Sequence, residues 1–347
     1  MPAGERLRLA RGMRIVPLDP ADEDAARGCH EVRVAAQEAD DPQVPPESLS
    51  VLRSWLTTGW GSNPGEAWTA VNEADGRVLG FYVIELPDLE NLDRAMVIPL
   101  VHPAFRRRGV GRELLRHAAG RAAASGRSVL GSATLQGTAG EAFARQIGAK
   151  AGVVEARRVL DLAAVPPGTY PRLRADAAGK AAGYTLARWL GATPDEYVDR
   201  IAGSLNAMND APSNEGWEDH LWDADRVRAR HDGVVRLSTL RRYSVAALRE
   251  ETGDVAALTQ VYIDPGVPWW GQQGLTAVTR PHRGHRLGLL TKTAMLEWLA
   301  EAEPALERVI TGNADSNSYM ISVNETLGFE LFEPAWQSYQ LPVSEAG

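Results

Sequence analysis

Three arginines and two glycines, Arg106-Arg-Arg-Gly-Val-Gly111, follow an apolar run over 96–101 that ends at His102-Pro103. The run reads as a strand despite Pro99, and Leu114, Leu115, Ala118, Ala119 and Ala122 mark one stripe of the helix after the glycines. Strand, glycine-bearing turn and helix N-terminus bring several backbone N–H groups to one point, where the helix dipole favours negative charge. Arg106, Arg107 and Arg108 add side-chain charge, while Gly109 and Gly111 let a phosphate approach the main chain around Val110. The chemistry this predicts is diphosphate binding. A Walker loop does not fit, because Arg112-Glu113 follows the glycines. A dinucleotide fingerprint does not fit either, because Leu114 stands at its third glycine.

The elements that must position such a loop fit a chain of two domains, the natural prior for 347 residues. With 44% hydrophobic and 24% charged residues the chain is an ordinary globular one, able to bury two cores. A net charge of −8 argues against nucleic acid as a partner and makes the arginine cluster a local feature of an acidic protein. Cys29 is the sole cysteine, so neither an internal disulfide nor a cysteine-based metal site is possible, and no metal is expected. No apolar run reaches membrane-spanning length and residues 1–10 lack the apolar core of a signal peptide, so the expectation is a cytoplasmic protein without a membrane partner.

Read in order, the chain carries one plan twice. A strand at 14–18, helices from Asp19-Pro20 and Pro45-Pro46, and two strands joined by Ala74-Asp75-Gly76 precede the arginine loop. A strand at 128–130, a helix stopped by Gly148 and a strand at 153–162 follow it. The proline-rich stretch 163–171 reads as a linker. Strand 184–190, a helix opened by Thr193-Pro194 and strands 242–249 and 255–263 then restart the plan. A strand over 274–279, the turn His282-Arg-Gly-His-Arg-Leu-Gly288, a helix striped by Leu287, Leu290, Ala294 and Trp298, and a last strand at 336–341 complete it. Hairpin glycines Gly76 and Gly253 are 177 positions apart, and so are loop glycines Gly111 and Gly288; Gly148 and Gly328 are 180 apart. A repeat of this length means duplicated domains, expected at 1–165 and 166–347.

The spacing Arg-x-x-Gly-x-Gly after a Val-x-Pro strand end resembles the acetyl-CoA signature of the GCN5-related N-acetyltransferases, the GNAT superfamily. The element order resembles the tandem, mycothiol synthase-like layout of that superfamily over nearly the whole chain. The resemblance implies an α/β fold with a mixed sheet in each of two tandem GNAT domains. It further implies acetyl-CoA as co-substrate and a direct transfer to the primary amine of a small molecule in a ternary complex. A CoA-binding pseudoenzyme or scaffold and a protein N-acetyltransferase are the alternatives, and a monomer or homodimer is expected. In this plan Val101 and residues 106–111 bind CoA in the first half, and Val278 with Arg283, Gly284, His285, Arg286, Leu287 and Gly288 does so in the second.

The halves differ in what else they offer. In the first, Ala144 falls where the family often has a tyrosine to protonate the leaving thiolate. Phe143 cannot donate a proton, Pro99 removes a donor from the strand expected to pair with pantetheine, and Glu85 and His102 are candidate bases. In the second, Arg286 replaces the first loop glycine, yet residues 311–329 resemble the Thr-x-Asn…Asn…Met…Asn…Leu-Gly-Phe ending of many GNAT enzymes. There Asn313 and Asn317 would touch the substrate end and the CoA arm, Asn324 stands at the tyrosine position, and Tyr319 is the substitute acid. Gln272 and Gln273 occupy a base position without being bases. Asp210, Glu215, Glu218, Asp219, Asp223 and Asp225 with Trp217, Trp222 and Trp269-Trp270 suit an ammonium substrate through charge and cation–π contact. Chemistry is therefore expected in the second half, with Asn313, Tyr319 and Asn324 as its catalytic residues.

Overall fold

Alternation along 78–85 sets the first sheet. Tyr82 and Ile84 join one apolar core while Phe81 and Val83 join another on the opposite face. In the computed structural model, which describes residues 12–58, 63, 65–210, 214 and 216–346, the chain divides into two units. One comprises Met1–Gly152 with Trp336–Gly347 and the other Val153–Ala335.

The first unit contains β1 (Met13–Pro17), α1 (Glu23–Asp40), α2 (Leu49–Thr58), β2 (Gly65–Asn72), β3 (Val78–Glu85), β4 (Arg94–Val101), α3 (Val110–Ala124), β5 (Val129–Leu135) and α4 (Ala139–Gln146). Asp22 opens α1 by accepting the N–H groups of Asp24 and Ala25. Strands β1 to β4 are antiparallel neighbours in sequence order. Strand β5 then runs parallel to β4, but only Arg94, Ala95 and Met96 pair with it, opposite Val129, Leu130 and Gly131. Beyond Met96 the two strands part. The far side of β5 is taken by residues 336–342, antiparallel, with Tyr339 opposite Ser132. Helix α3 covers one face with Leu114, Ala118 and Ala122, and α1 and α2 cover the other with Cys29, Val32, Leu52 and Trp55.

The second unit repeats this order. It contains β6 (Lys150–Asp161, from Val153 onwards), α5 (Thr169–Ala178), β7 (Tyr184–Leu190), α6 (Asp195–Asn206), β8 (Arg241–Arg249), β9 (Val255–Ile263), β10 (Trp270–Val278), α7 (Leu287–Ala302), β11 (Arg308–Ala314), α8 (Ser318–Thr326) and the start of β12 (Glu330–Pro342). Strands β7 to β10 are antiparallel neighbours. Strand β11 is parallel to β10 over Trp270, Gly271 and Gln272, and β6 closes the order antiparallel to β11. Hairpin glycines Gly76 and Gly253 both sit at φ 72°, the left-handed turn that glycine adopts without a Cβ clash.

Two expectations are corrected. The cut between 165 and 166 does not follow the units, because β6 pairs in the second while residues 336–342 pair in the first. The stretch 163–171 is also not simply a linker: α5 begins at Thr169 with Pro171 in its first turn, where no intrahelical N–H is lost. Gly168, at φ 80°, admits the chain to that helix.

Candidate acetyl-CoA site

In the first unit the parting of β4 and β5 opens a cleft of about 510 Å³. Pro99 lines it. The His102 N–H bonds the Leu79 carbonyl of β3, so in an antiparallel ladder Leu100 and Ile98 also face β3 while Val101, Pro99 and Val97 face the cleft. The donor that Pro99 lacks is thus missing from the open edge, and the β3–β4 ladder stays whole. The same edge presents the Val101 carbonyl, which accepts Arg106 Nε at 3.1 Å.

The loop follows. His102 accepts the Ala104 N–H at 3.2 Å and so caps a short turn, Pro103–Phe105. Burial, then Arg77 and Arg106, push the His102 imidazole below its usual range, which keeps it neutral. Arg107 takes the left-handed conformation at φ 61° and Gly109 at φ 92°. Gly109 leads into α3 with no side chain capping it, so the first N–H groups of the helix are open to an anion. A Cβ on Gly111 would come no closer than 3.7 Å to protein atoms, so the fold does not require glycine there; the space it leaves belongs to the cleft. Val101, Arg106, Arg107, Gly109 and Gly111 line the cleft. Arg108 instead lies over the Phe105 ring at 5.8 Å, and Val110 is buried in the core beneath the loop.

The second unit reproduces the loop residue by residue. Arg283 Nε donates to the Val278 carbonyl at 3.2 Å, the Thr279 N–H bonds the Ala256 carbonyl, and a Cβ added to Gly288 would stand 3.7 Å from the Val278 side chain. Gly284 is at φ 89°, and Arg286, where the first unit has Gly109, is left-handed at φ 55° as the residue before Leu287 and α7. His285 Nδ1 lies 3.2 Å from the Lys180 carbonyl oxygen.

A description of the acetyltransferase (GNAT) domain matches residues 63–148. A tandem GNAT protein from the clavulanic acid biosynthesis pathway, solved without acetyl-CoA, is similar at 29% identity with a TM-score of 0.78, over 95% of this chain and 98% of that one. The chain is a tandem GNAT protein, and by that membership an N-acetyltransferase. A GCN5-related N-acetyltransferase from Sphaerobacter thermophilus shares the fold, with a TM-score of 0.63 at 17% identity over 95% of this chain and 96% of that one. No curated protein matches.

Inside the second half of this GNAT protein, the loop arginines Arg280 and Arg283 are both bound by Asp210. Arg280 first, then Arg283, hold that carboxyl down at about 2. The acidic stretch therefore grips its own loop at Asp210. Asp223 caps a short helical turn through the Arg226 N–H, and Trp222 stacks under Arg226 at 4.6 Å. Glu215 lies outside the described residues.

Deeper in, a polar chain crosses from α7 to the part of β11 beyond its rungs with β10. Lys292 Nζ donates to Asn324 Oδ1 at 2.7 Å, and Asn324 Nδ2 donates to Asn313 Oδ1 at 2.7 Å. Burial pushes the Lys292 amine down to about 7. By the glycine offsets, Lys292 and Asn324 correspond to Leu115 and Ala144, both of which line the open cleft of the first unit. Asn313 and Asn324 are thus brought together. Tyr319 does not join their hydrogen-bonded chain, and it is 58% exposed. Asn317 caps α8 through the Met320 N–H at 3.3 Å. Gln273, buried where β10 bulges, donates to the Gln260 carbonyl at 2.6 Å, while Gln272 is exposed.

Sequence reasoning missed Lys292, although a lysine amid Leu289, Leu290, Met295 and Leu296 on a buried helix was the available signal. It also missed Asp40 as the partner of Arg106. Among the described residues no cluster of metal-ligating side chains occurs, and no helix is long and apolar enough to cross a membrane.

Proposed function

We propose that this GNAT protein transfers the acetyl group of acetyl-CoA to the primary amine of a small molecule in the cytoplasm, with acetyl-CoA held in the cleft of the first unit. The observation that carries this reading is the 510 Å³ opening between β4 and β5, with Arg106, Gly109 and Gly111 at its loop end. The pyrophosphate sits on the open N–H groups at the start of α3. The pantetheine arm lies along the β4 edge, where Val97 and Val101 donate on either side of Pro99. The thioester then reaches the last β4–β5 rung, Met96 opposite Gly131. Glu85, paired with Met96 across β3, lies on the α1–α2 face and is buried. It takes the proton of the incoming ammonium. The free amine attacks the thioester carbon, the C–N bond forms and the C–S bond breaks.

A second reading, with chemistry in the second unit, is favoured by one observation: Lys292, neutral above about pH 7, ends a chain through Asn324 to Asn313. In that reading Asn317, the cap of α8, serves the CoA arm of the same site. Two variants separate the readings. Gly111→Val should abolish acetyl-CoA binding by calorimetry, and with it a ligand stabilisation of about 2.7 kcal/mol at 100 times Kd. Gly288→Val should leave both intact. The opposite pattern would move the site to the second unit.

A further inference from the structure

We infer that Tyr339, on the strand that returns from the far end of the chain, is the acid that protonates the CoA thiolate in the first unit. This rests on the acetyl-CoA reading of that cleft. The place on α4 where the family resemblance puts a tyrosine holds Ala144, and Ala144 lines the cleft without a polar atom in its side chain. Tyr339 lines the same cleft from the other side of β5, opposite Ser132, and is only 5% exposed.

Its direction follows from alternation. Leu341 joins the core under α3, so Tyr339, two residues earlier, points to the same face, towards α3 and α4. This is the face of the phosphate loop and opposite that of Glu85, so the proton acceptor and the proton donor stand on the two sides of the sheet. The hydroxyl meets α4 at Glu141, whose Oε1 accepts it at 3.5 Å. Glu141 is otherwise engaged, accepting the Gly137 N–H at 2.7 Å and Arg145 at 2.8 Å. A hydrogen bond this long holds the phenol weakly, so its proton can turn to a stronger acceptor. Arg145 lies beside the same hydroxyl, and the contact raises its guanidinium.

The step balances. The amine nitrogen bonds the acetyl carbon, the C–S electron pair stays on sulfur, and the Tyr339 O–H proton passes to it, leaving CoA thiol and a phenolate facing Arg145. The nitrogen's second proton, released as the amide forms, passes through water to the phenolate and restores the phenol, while the proton taken from the ammonium leaves through Glu85. Tyr339 belongs to the last twelfth of the sequence, so the catalytic set of the first unit is incomplete without the end of the chain.

The test uses the full chain with CoA itself as probe, and its deciding titration needs no acceptor. Cys29, the one cysteine, is buried with its thiol pushed up to about 12, so it stays silent while the CoA thiol titrates. Ultraviolet titration of bound CoA in wild type and in Tyr339→Phe should show the thiolate forming about one pH unit higher in the variant, because a hydrogen bond to the charged form has gone. Calorimetry should give equal CoA affinity, and turnover with the best acceptor from a diamine, an amino sugar and an aromatic amine should fall about 100-fold. Identical thiol titrations at equal CoA affinity would overturn the role of Tyr339 alone. Failure of wild type to bind CoA in this cleft would instead overturn the acetyl-CoA reading, and the role of Tyr339 with it.

Discussion

Asp40, the last residue of α1, holds Arg106 through two parallel hydrogen bonds of 2.7 and 2.6 Å, and both residues line the cleft. A carboxylate here occupies the guanidinium that the phosphate loop would offer to a pyrophosphate. Asp210 does the same to Arg283 in the second unit, so each loop carries its own anion.

The consequence for the first unit is competition. Asp40→Asn should tighten acetyl-CoA binding about five-fold, the scale of a partly exposed ion pair near 1 kcal/mol. The free protein should lose about 2–4 °C of melting temperature. Calorimetry and a thermal scan on one preparation check both, and weaker binding by the variant would show that Asp40 orients Arg106 for the phosphate instead of blocking it.

Lys292 makes stability depend on pH with a definite sign. Its amine is near 7 folded and near 10.4 unfolded, so between those values the unfolded chain binds more protons and stability rises with pH. Below about 7 both states are charged and the contribution is flat. Lys292→Met removes the group, and the urea midpoint of the variant should climb less between pH 7 and 10 than that of wild type. Parallel curves would mean that the lysine stays charged in the fold.

Glu85 is the carboxylate proposed to receive the amine proton. Glu85→Gln keeps the shape and removes the base, so turnover should drop about 100-fold while acetyl-CoA affinity is unchanged. Raising the pH, which supplies amine already deprotonated, should restore part of the loss. A variant as active as wild type at neutral pH would remove Glu85 from the mechanism.

The course of the turn over 106–111 was legible because local chemistry fixes it: Gly109 takes the positive φ that admits the chain to α3, and an apolar stripe follows where that helix must bury one face. The repeat at 177 positions was legible for the same reason, since both copies keep the same turns. What alternation along a strand leaves open is its neighbour. Residues 153–162 and 336–341 read equally well as the closing strand of their own half, yet each pairs in the other unit, because backbone hydrogen bonds are the same for any partner. Helix α5 was hidden by prolines that stop a helix in its middle and not in its first turn. Whether a slot is open or filled was equally beyond the one-dimensional pattern. Leu115 and Ala144 leave space in one unit, while Lys292 and Asn324 meet at 2.7 Å in the other. Spacing fixes where such side chains start on their helices, and only the packing of helix against sheet decides whether they reach one another.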